Sequence, residues 1–135
     1  MNQLQQPIEP FNFNIKAEMK KLAILIYSPP HGKAKGREAL DIALATSAIN
    51  QVSVFFVDDG VFHLLPNQQP DSILMRDYIA TLNMLELYDI DDVYVCESSL
   101  KSRNLTQIAR NIPSKIINTQ LLNQLLTTKD VILRF

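Results

Sequence analysis

The sequence predicts an α/β protein: a single three-layer α/β/α sandwich on a mostly parallel sheet of about five strands. Three observations carry this reading. Short apolar runs recur along the chain, at 22–27 (LAILIY), 52–57 (VSVFFV), 93–96 (VYVC) and 130–135 (DVILRF), the signature of strands buried on both faces. Segments with leucines every three or four residues lie between them, the period of a helix packed on one side. The two kinds of segment alternate, which predicts helical crossovers between parallel strands.

Taken in order, residues 1–18 carry two prolines and irregularly spaced polar side chains with no helical or strand period. They read as a flexible N-terminal extension before a domain over 19–135. The first strand, 22–27, stops at Ser28-Pro29-Pro30. A helix is expected over 36–50, where Leu40, Leu44 and Ala48 repeat every four residues. Only Asp41, Thr46 and Ser47 interrupt the apolar stretch 39–49, so this helix should be covered on most sides. The second strand, 52–57, is cut by the turn signal Asp58-Asp59-Gly60. Pro70 and Asp71 suit the first turn of a second helix, with Leu74, Tyr78, Leu82 and Leu85 as its buried stripe. A third strand follows at 93–96, and helix is expected within 98–112. Ile116 and Ile117 form the core of a short fourth strand. Asn118 or Thr119 caps a helix that carries Leu121, Leu122, Leu125 and Leu126 on one face, and 130–135 closes the sheet.

Composition narrows the function classes. The chain has 135 residues, 47% of them hydrophobic, enough for one domain that buries roughly two thirds of its unfolded surface. With one cysteine, Cys96, there is no internal disulfide and no cysteine-rich zinc site. Thirteen Lys and Arg face 14 Asp and Glu, which argues against holding nucleic acid by phosphate neutralisation. The basic residues Lys33, Lys35 and Arg37, and Lys101, Arg103 and Arg110, form small groups without interleaved aromatics for base stacking. The longest apolar run is six residues, far short of the roughly 20 that span a bilayer. A cytoplasmic protein without direct nucleic-acid or membrane binding is expected, and neither cofactor nor metal.

Sheets of this kind carry their sites at the carboxyl ends of strands, which singles out 28–36, 58–70 and 96–104. The loop 28–36 (SPPHGKAKG) lacks the earlier glycine and the Ser or Thr of a phosphate-binding P-loop. It reads as a rigid turn with solvated lysines, with a small anion- or nucleotide-binding module at 31–37 as the alternative. His31 and His63 stand in different loops. Either can approach Cys96, though structural or interface use suits them better and neither has metal-ligand spacing. The 58–70 connection is long for such a fold. Its Val61, Phe62, Leu64 and Leu65 form either a partner surface or a loop folded back over the sheet edge. Cys96 precedes Glu97-Ser98-Ser99, a plausible helix start, where amide groups lower a thiol pKa. A carboxylate at Glu97 turned toward the sulfur would work the other way.

Four stretches make these residues resemble a known family: PHGKAKGREALDIALATSA (30–48), VFFVDDGVFHLLPNQQPDSILMRDYIATLNMLELYDI (54–90), VYVCESSLKSRNL (93–105) and DVILRF (130–135). They resemble the DsrE/DsrF/DsrH family, and within it the DsrF-like branch that includes TusC, from about Met19 to Phe135. The resemblance implies a sulfur-relay subunit in a heterohexamer with two copies each of TusB-like and TusD-like sister subunits. Such a complex hands persulfide sulfur through a TusE-like acceptor toward 2-thiolation of the wobble uridine of tRNA. It further implies that this branch is mainly a structural and interaction subunit beside a catalytic DsrE-like one. Cys96 matches the position of that subunit's persulfide cysteine and is the alternative carrier. The glycine common after the basic residues of the pattern is Asn104 here.

Overall fold

The computed structural model describes residues 19–30, 35–66 and 73–135, without the side chains of 73–79. The extension 1–18, His31, Lys33, Pro70 and Asp71, and the side chains of Leu74 and Tyr78, therefore lie outside what is described. The elements run β1 (Lys20–Ile26), α1 (Lys35–Thr46), β2 (Asn50–Phe56), a 3₁₀ segment (Asp58–Leu64), α2 (Ile73–Leu87), β3 (Asp92–Cys96), α3 (Glu97–Ser102), β4 (Lys115–Ile117), α4 (Thr119–Thr127) and β5 (Val131–Arg134). The five strands form one sheet in the order β4-β3-β2-β1-β5, and every pairing is parallel. Representative partners across it are Ile24 with Val54 and Leu133, Val54 with Val93, and Cys96 with Ile117.

The connection order dictates the layers. From β1 to β4 the chain moves steadily in one direction, then returns across the sheet to place β5 beyond β1. Because parallel crossovers are right-handed, the return puts α4 on the face opposite the other helices. The core divides accordingly. Ile24, Ile26, Val54, Phe56, Val93 and Val95 pack with Ala39, Leu40 and Ala43 of α1, Leu82 and Leu85 of α2, and Leu100 of α3. Ala23, Leu25, Phe55, Val57, Cys96 and Ile117 pack on the other face under Leu122 of α4. Of the α4 stripe Leu122 is buried, Leu125 and Leu126 are half-buried, and Leu121 is exposed. No helix among the described residues is long and apolar enough to cross a membrane.

Two expectations are corrected by local chemistry, and one open alternative is resolved. The first helix ends at Thr46 rather than near 50. The hydroxyls of Thr46 and Ser47 donate back to the Ile42 and Leu44 carbonyls, and Ile49 is left 69% exposed. The helix expected within 98–112 is only the six residues of α3. Asn104 adopts φ 56, and the Leu105 and Asn104 N–H groups donate to the Leu100 and Lys101 carbonyls, a Schellman ending that stops the helix. The 58–66 stretch is not an exposed apolar loop. Its 3₁₀ segment folds back against the sheet and buries Val61 and Leu64 in the main core. Gly60 makes this possible: a Cβ there would stand 1.8 Å from the Ile26 carbonyl oxygen. Asn111 clasps the segment from the far side, its backbone N–H on the Leu64 carbonyl and its side-chain amide on those of His63 and Leu65.

Candidate functional site

The carboxyl ends of β2 and β3 and the start of α4 meet around Cys96. It is the last residue of β3 and the N-cap of α3, with extended backbone. Its parallel partner Ile117 is followed directly by Asn118, whose side chain accepts the Leu121 N–H at 2.8 Å and caps α4. Two helices thus begin beside the sulfur, each with the N–H end that favours negative charge. The sulfur lies 3.2 Å from the Ser98 hydroxyl, which lies 3.4 Å from that of Thr119.

Cys96 is a near-buried thiol with a lowered pKa. Burial, at 5% exposure, pushes the pKa up. The hydroxyls and backbone N–H groups of Ser98 and Ser99 pull it down harder, so the net direction is below the ordinary thiol value. Glu97 does not oppose this, since its carboxylate turns to Lys101 at 3.6 Å. A supporting tier stands behind the serines. Buried Ser99 accepts the Asp58 backbone N–H at 2.9 Å. Arg103 holds the Asp59 carboxylate with Nε and Nη2, at 3.2 and 2.9 Å. Its Nη1 donates to the Ser99 carbonyl and the Ser102 hydroxyl, and its guanidinium lies 6.0 Å from the Phe62 ring centroid.

The other sequence-level candidates separate. His63 is buried, its Nε2 is 2.7 Å from the Ser28 carbonyl, and its ring lies against Phe56 on the three-helix face. Cys96 packs with Phe55 and Val57 on the opposite face, so the sheet does not arrange a Cys96–His63 pair. Of the proposed interface, Val61 and Leu64 offer no surface, and only Phe62 and Leu65 remain partly exposed. The anion module at 31–37 has only Lys35, Gly36 and Arg37 among the described residues, in the first turn of α1. Arg103 and Arg110 are engaged within the fold, Arg110 with the Ser114 hydroxyl and carbonyl. Among the described residues no group of three His, Cys, Asp or Glu comes together to hold a metal ion.

Sequence reasoning found Cys96 but missed its support. Asp58-Asp59-Gly60 reads as a turn and is the start of the 3₁₀ segment, and each of its residues serves the site. Asp58, at φ 50, aims its N–H at Ser99, Asp59 holds Arg103, and Gly60 seats the segment. Chemically, the arrangement surrounds a shielded thiol with hydrogen-bond donors that favour its thiolate form, and no general base adjoins it among the described residues.

The fold matches a solved structure, the crystal structure of the ychN protein from E. coli, with a TM-score of 0.76 and 21% identity over 87% of this chain and all of that one. At that identity the match speaks for the fold. The DsrE/DsrF-like family model matches residues 20–135, from the first residue of β1 to the last residue of the chain. That match, over most of the chain, shows that the chain belongs to the DsrE/DsrF-like family, which is associated with sulfur relay.

Proposed function

We propose that this chain is a TusC-like subunit of a sulfur-relay complex and that Cys96 is its station for persulfide sulfur. The observation that carries the reading is the Cys96 cradle, in which serine hydroxyls and backbone N–H groups outweigh burial and favour the thiolate. In the transfer step the thiolate attacks the outer sulfur of a donor persulfide. A bond forms between Cys96 Sγ and that sulfur as the donor's S–S bond breaks, and the donor leaves as a thiolate. The oxidation level is conserved, so neither a cofactor nor an external oxidant is required. The same donors that hold the thiolate then hold the anionic persulfide, and near-complete burial shields it from water and oxidants.

In this reading the chain sits beside TusB-like and TusD-like sister subunits, gives sulfur to a TusE-like acceptor, and serves 2-thiolation of the tRNA wobble uridine. Exposed apolar side chains near the site suit such a partner: Ile116 of β4 and Leu121 of α4 are 41% and 40% exposed, next to Ile117 and Asn118. Phe62 and Leu65 extend the candidate surface on the other side.

The scaffold reading, in which the sister subunit does the chemistry, is favoured by the 5% exposure of Cys96, since a carrier must be reached. Replacing Cys96 by Ser separates the two. As a scaffold, the variant complex assembles and supports thiolation at the wild-type rate. As a carrier, it assembles and transfers little or no sulfur.

A further inference from the structure

We propose that the segment ahead of β1 docks back onto the domain, with Phe11, Phe13 and Ile15 covering a groove at the amino ends of β1, β2 and β3. Cys96 closes β3 at its carboxyl end, so the groove lies at the other end of the sheet and the inference is independent of the sulfur chemistry. The groove has a volume of about 700 Å³, within the range of pockets that enclose a drug-sized ligand. Met19 ahead of β1, the turn from α1 into β2 and the turn from α2 into β3 line it.

The way α2 stops leaves this groove with apolar walls. The Ile90 N–H donates to the Leu85 carbonyl at 2.9 Å and the Asp89 N–H to that of Glu86 at 3.0 Å, with Asp89 at φ 60, a Schellman ending. The turn sends Ile90 into the core, 3% exposed, and leaves Leu87 and Tyr88 facing out, at 75% and 45%. Neither side chain belongs to the core on either face of the sheet. A helix end favours basic groups over apolar ones, so the helix itself gains nothing from them. Ile49, in the turn from α1 into β2, is 69% exposed as well. Adjoining apolar side chains beside a groove mark a surface that something covers.

The chain supplies the cover itself. Eighteen residues precede Met19, and Met19 lines the groove, so the segment joins the domain at that point. Ile15, Phe13 and Phe11 lie four to eight residues ahead of Met19. An extended chain spans at most about 3.3–3.6 Å per residue, which brings all three within reach of Leu87 and Tyr88. Lys16 is the one basic residue of 1–18, and the exposed Asp89, Asp91 and Asp92 line the same groove. The tether makes a weak contact sufficient. A short linker holds its segment at millimolar effective concentration, so a contact with a dissociation constant of about 0.1 mM as separate pieces is mostly formed within one chain. The matched family domain begins at residue 20, so this contact lies outside the shared domain.

The experiment is nuclear magnetic resonance on the isotope-labelled full chain, beside a synthetic peptide of residues 1–18 free in solution. Docking predicts that signals of residues 11–16 are shifted from those of the free peptide. It also predicts Overhauser cross-peaks between the Phe11 or Phe13 ring and the Leu87 methyls. Two double variants follow, F11S/F13S in the segment and L87S/Y88S in the groove, with folding checked by circular dichroism. Each should abolish the cross-peaks. L87S/Y88S should return residues 11–16 to the free-peptide positions, and F11S/F13S should move the signals of 87–92. The core signals of β1–β5 should stay in place, since Leu87 and Tyr88 are exposed. Should L87S/Y88S fail to fold, F11S/F13S decides alone, because its sites lie outside the domain. Wild-type signals of 11–16 that coincide with the free peptide overturn the proposal, as do signals of 87–92 that ignore F11S/F13S. Cross-peaks found only between labelled and unlabelled copies in a mixed sample also overturn it, since they seat a second copy's segment in the groove.

Discussion

At the scale of single residues, Cys96 is the one group on which sulfur chemistry can rest, and its surroundings are polar on one side only. Phe55, Val57 and Ile117 wall it in, and Ser98 and Ser99 supply the donors. The linkage to stability has a definite sign. A thiol whose folded pKa lies below its unfolded value of about 8.5 adds stability that is fully present above the unfolded value. That stability is lost as pH falls through the folded one. Denaturant titrations should therefore show wild type gaining on Cys96→Ser as pH rises across that interval, then levelling off. A pH-independent difference between the two proteins would contradict the lowered pKa. Gly60→Ala tests the seat of the 3₁₀ segment. With the added carbon 1.8 Å from the Ile26 carbonyl, backbone has to move, and a loss of about 3 kcal/mol or more is expected. Retention of wild-type stability in a melting experiment would show that the close approach is not needed.

At the scale of elements, the site depends on how two helices start and how one stops. Asn118→Ala removes the α4 cap and should cost about 1 kcal/mol, read as a lower urea midpoint with an unchanged slope. Asn104 closes α3 from a left-handed conformation, where glycine and asparagine are the residues at home. Asparagine can therefore stand where the resemblance leads one to expect glycine. Asn104→Gly should leave stability within a few tenths of a kcal/mol, whereas Asn104→Val should lose about 1–2 kcal/mol. The strands were legible in the sequence because burial on both faces writes unbroken apolar runs, as in 22–27 and 52–57. Boundaries were less so. Thr46 and Ser47 end α1 through hydroxyl bonds to the backbone, and apolar spacing carries no record of those. The fold of 58–66 was hidden for a different reason: Val61 and Leu64 are apolar in the manner of an interface or a core, and only the partner across space decides. That partner includes Asn111 and Ile26, distant in sequence.

At the scale of the whole molecule, the strand order β4-β3-β2-β1-β5 puts Cys96 between the central strands and the β4 edge. One layer of helices backs the sheet, and the single helix α4 crosses the face on which the sulfur lies. The sulfur is thereby covered by a thin layer and rimmed by exposed apolar groups, Ile116 and Leu121. A docking partner gains area from covering that rim. Leu121→Asp should leave the isolated chain folded, because the side chain is already 40% exposed, and should weaken co-elution with sister subunits in size-exclusion chromatography. Undiminished co-elution would move the interface elsewhere. The cysteine and the helix starts were readable from the sequence as a candidate site. The Asp59–Arg103 bracket was not, because its members lie 44 residues apart and each has an ordinary local explanation.

The most direct test of Cys96 as a sulfur station is the intact mass of this chain after charging. The full chain, assembled with TusB-like and TusD-like subunits, is supplied with a cysteine desulfurase, cysteine and the upstream carrier, then trapped with a thiol reagent. The account predicts one added sulfur atom on Cys96 that disappears when a TusE-like acceptor is added. Sulfur on the DsrE-like partner alone, with Cys96 unmodified throughout turnover, would contradict it.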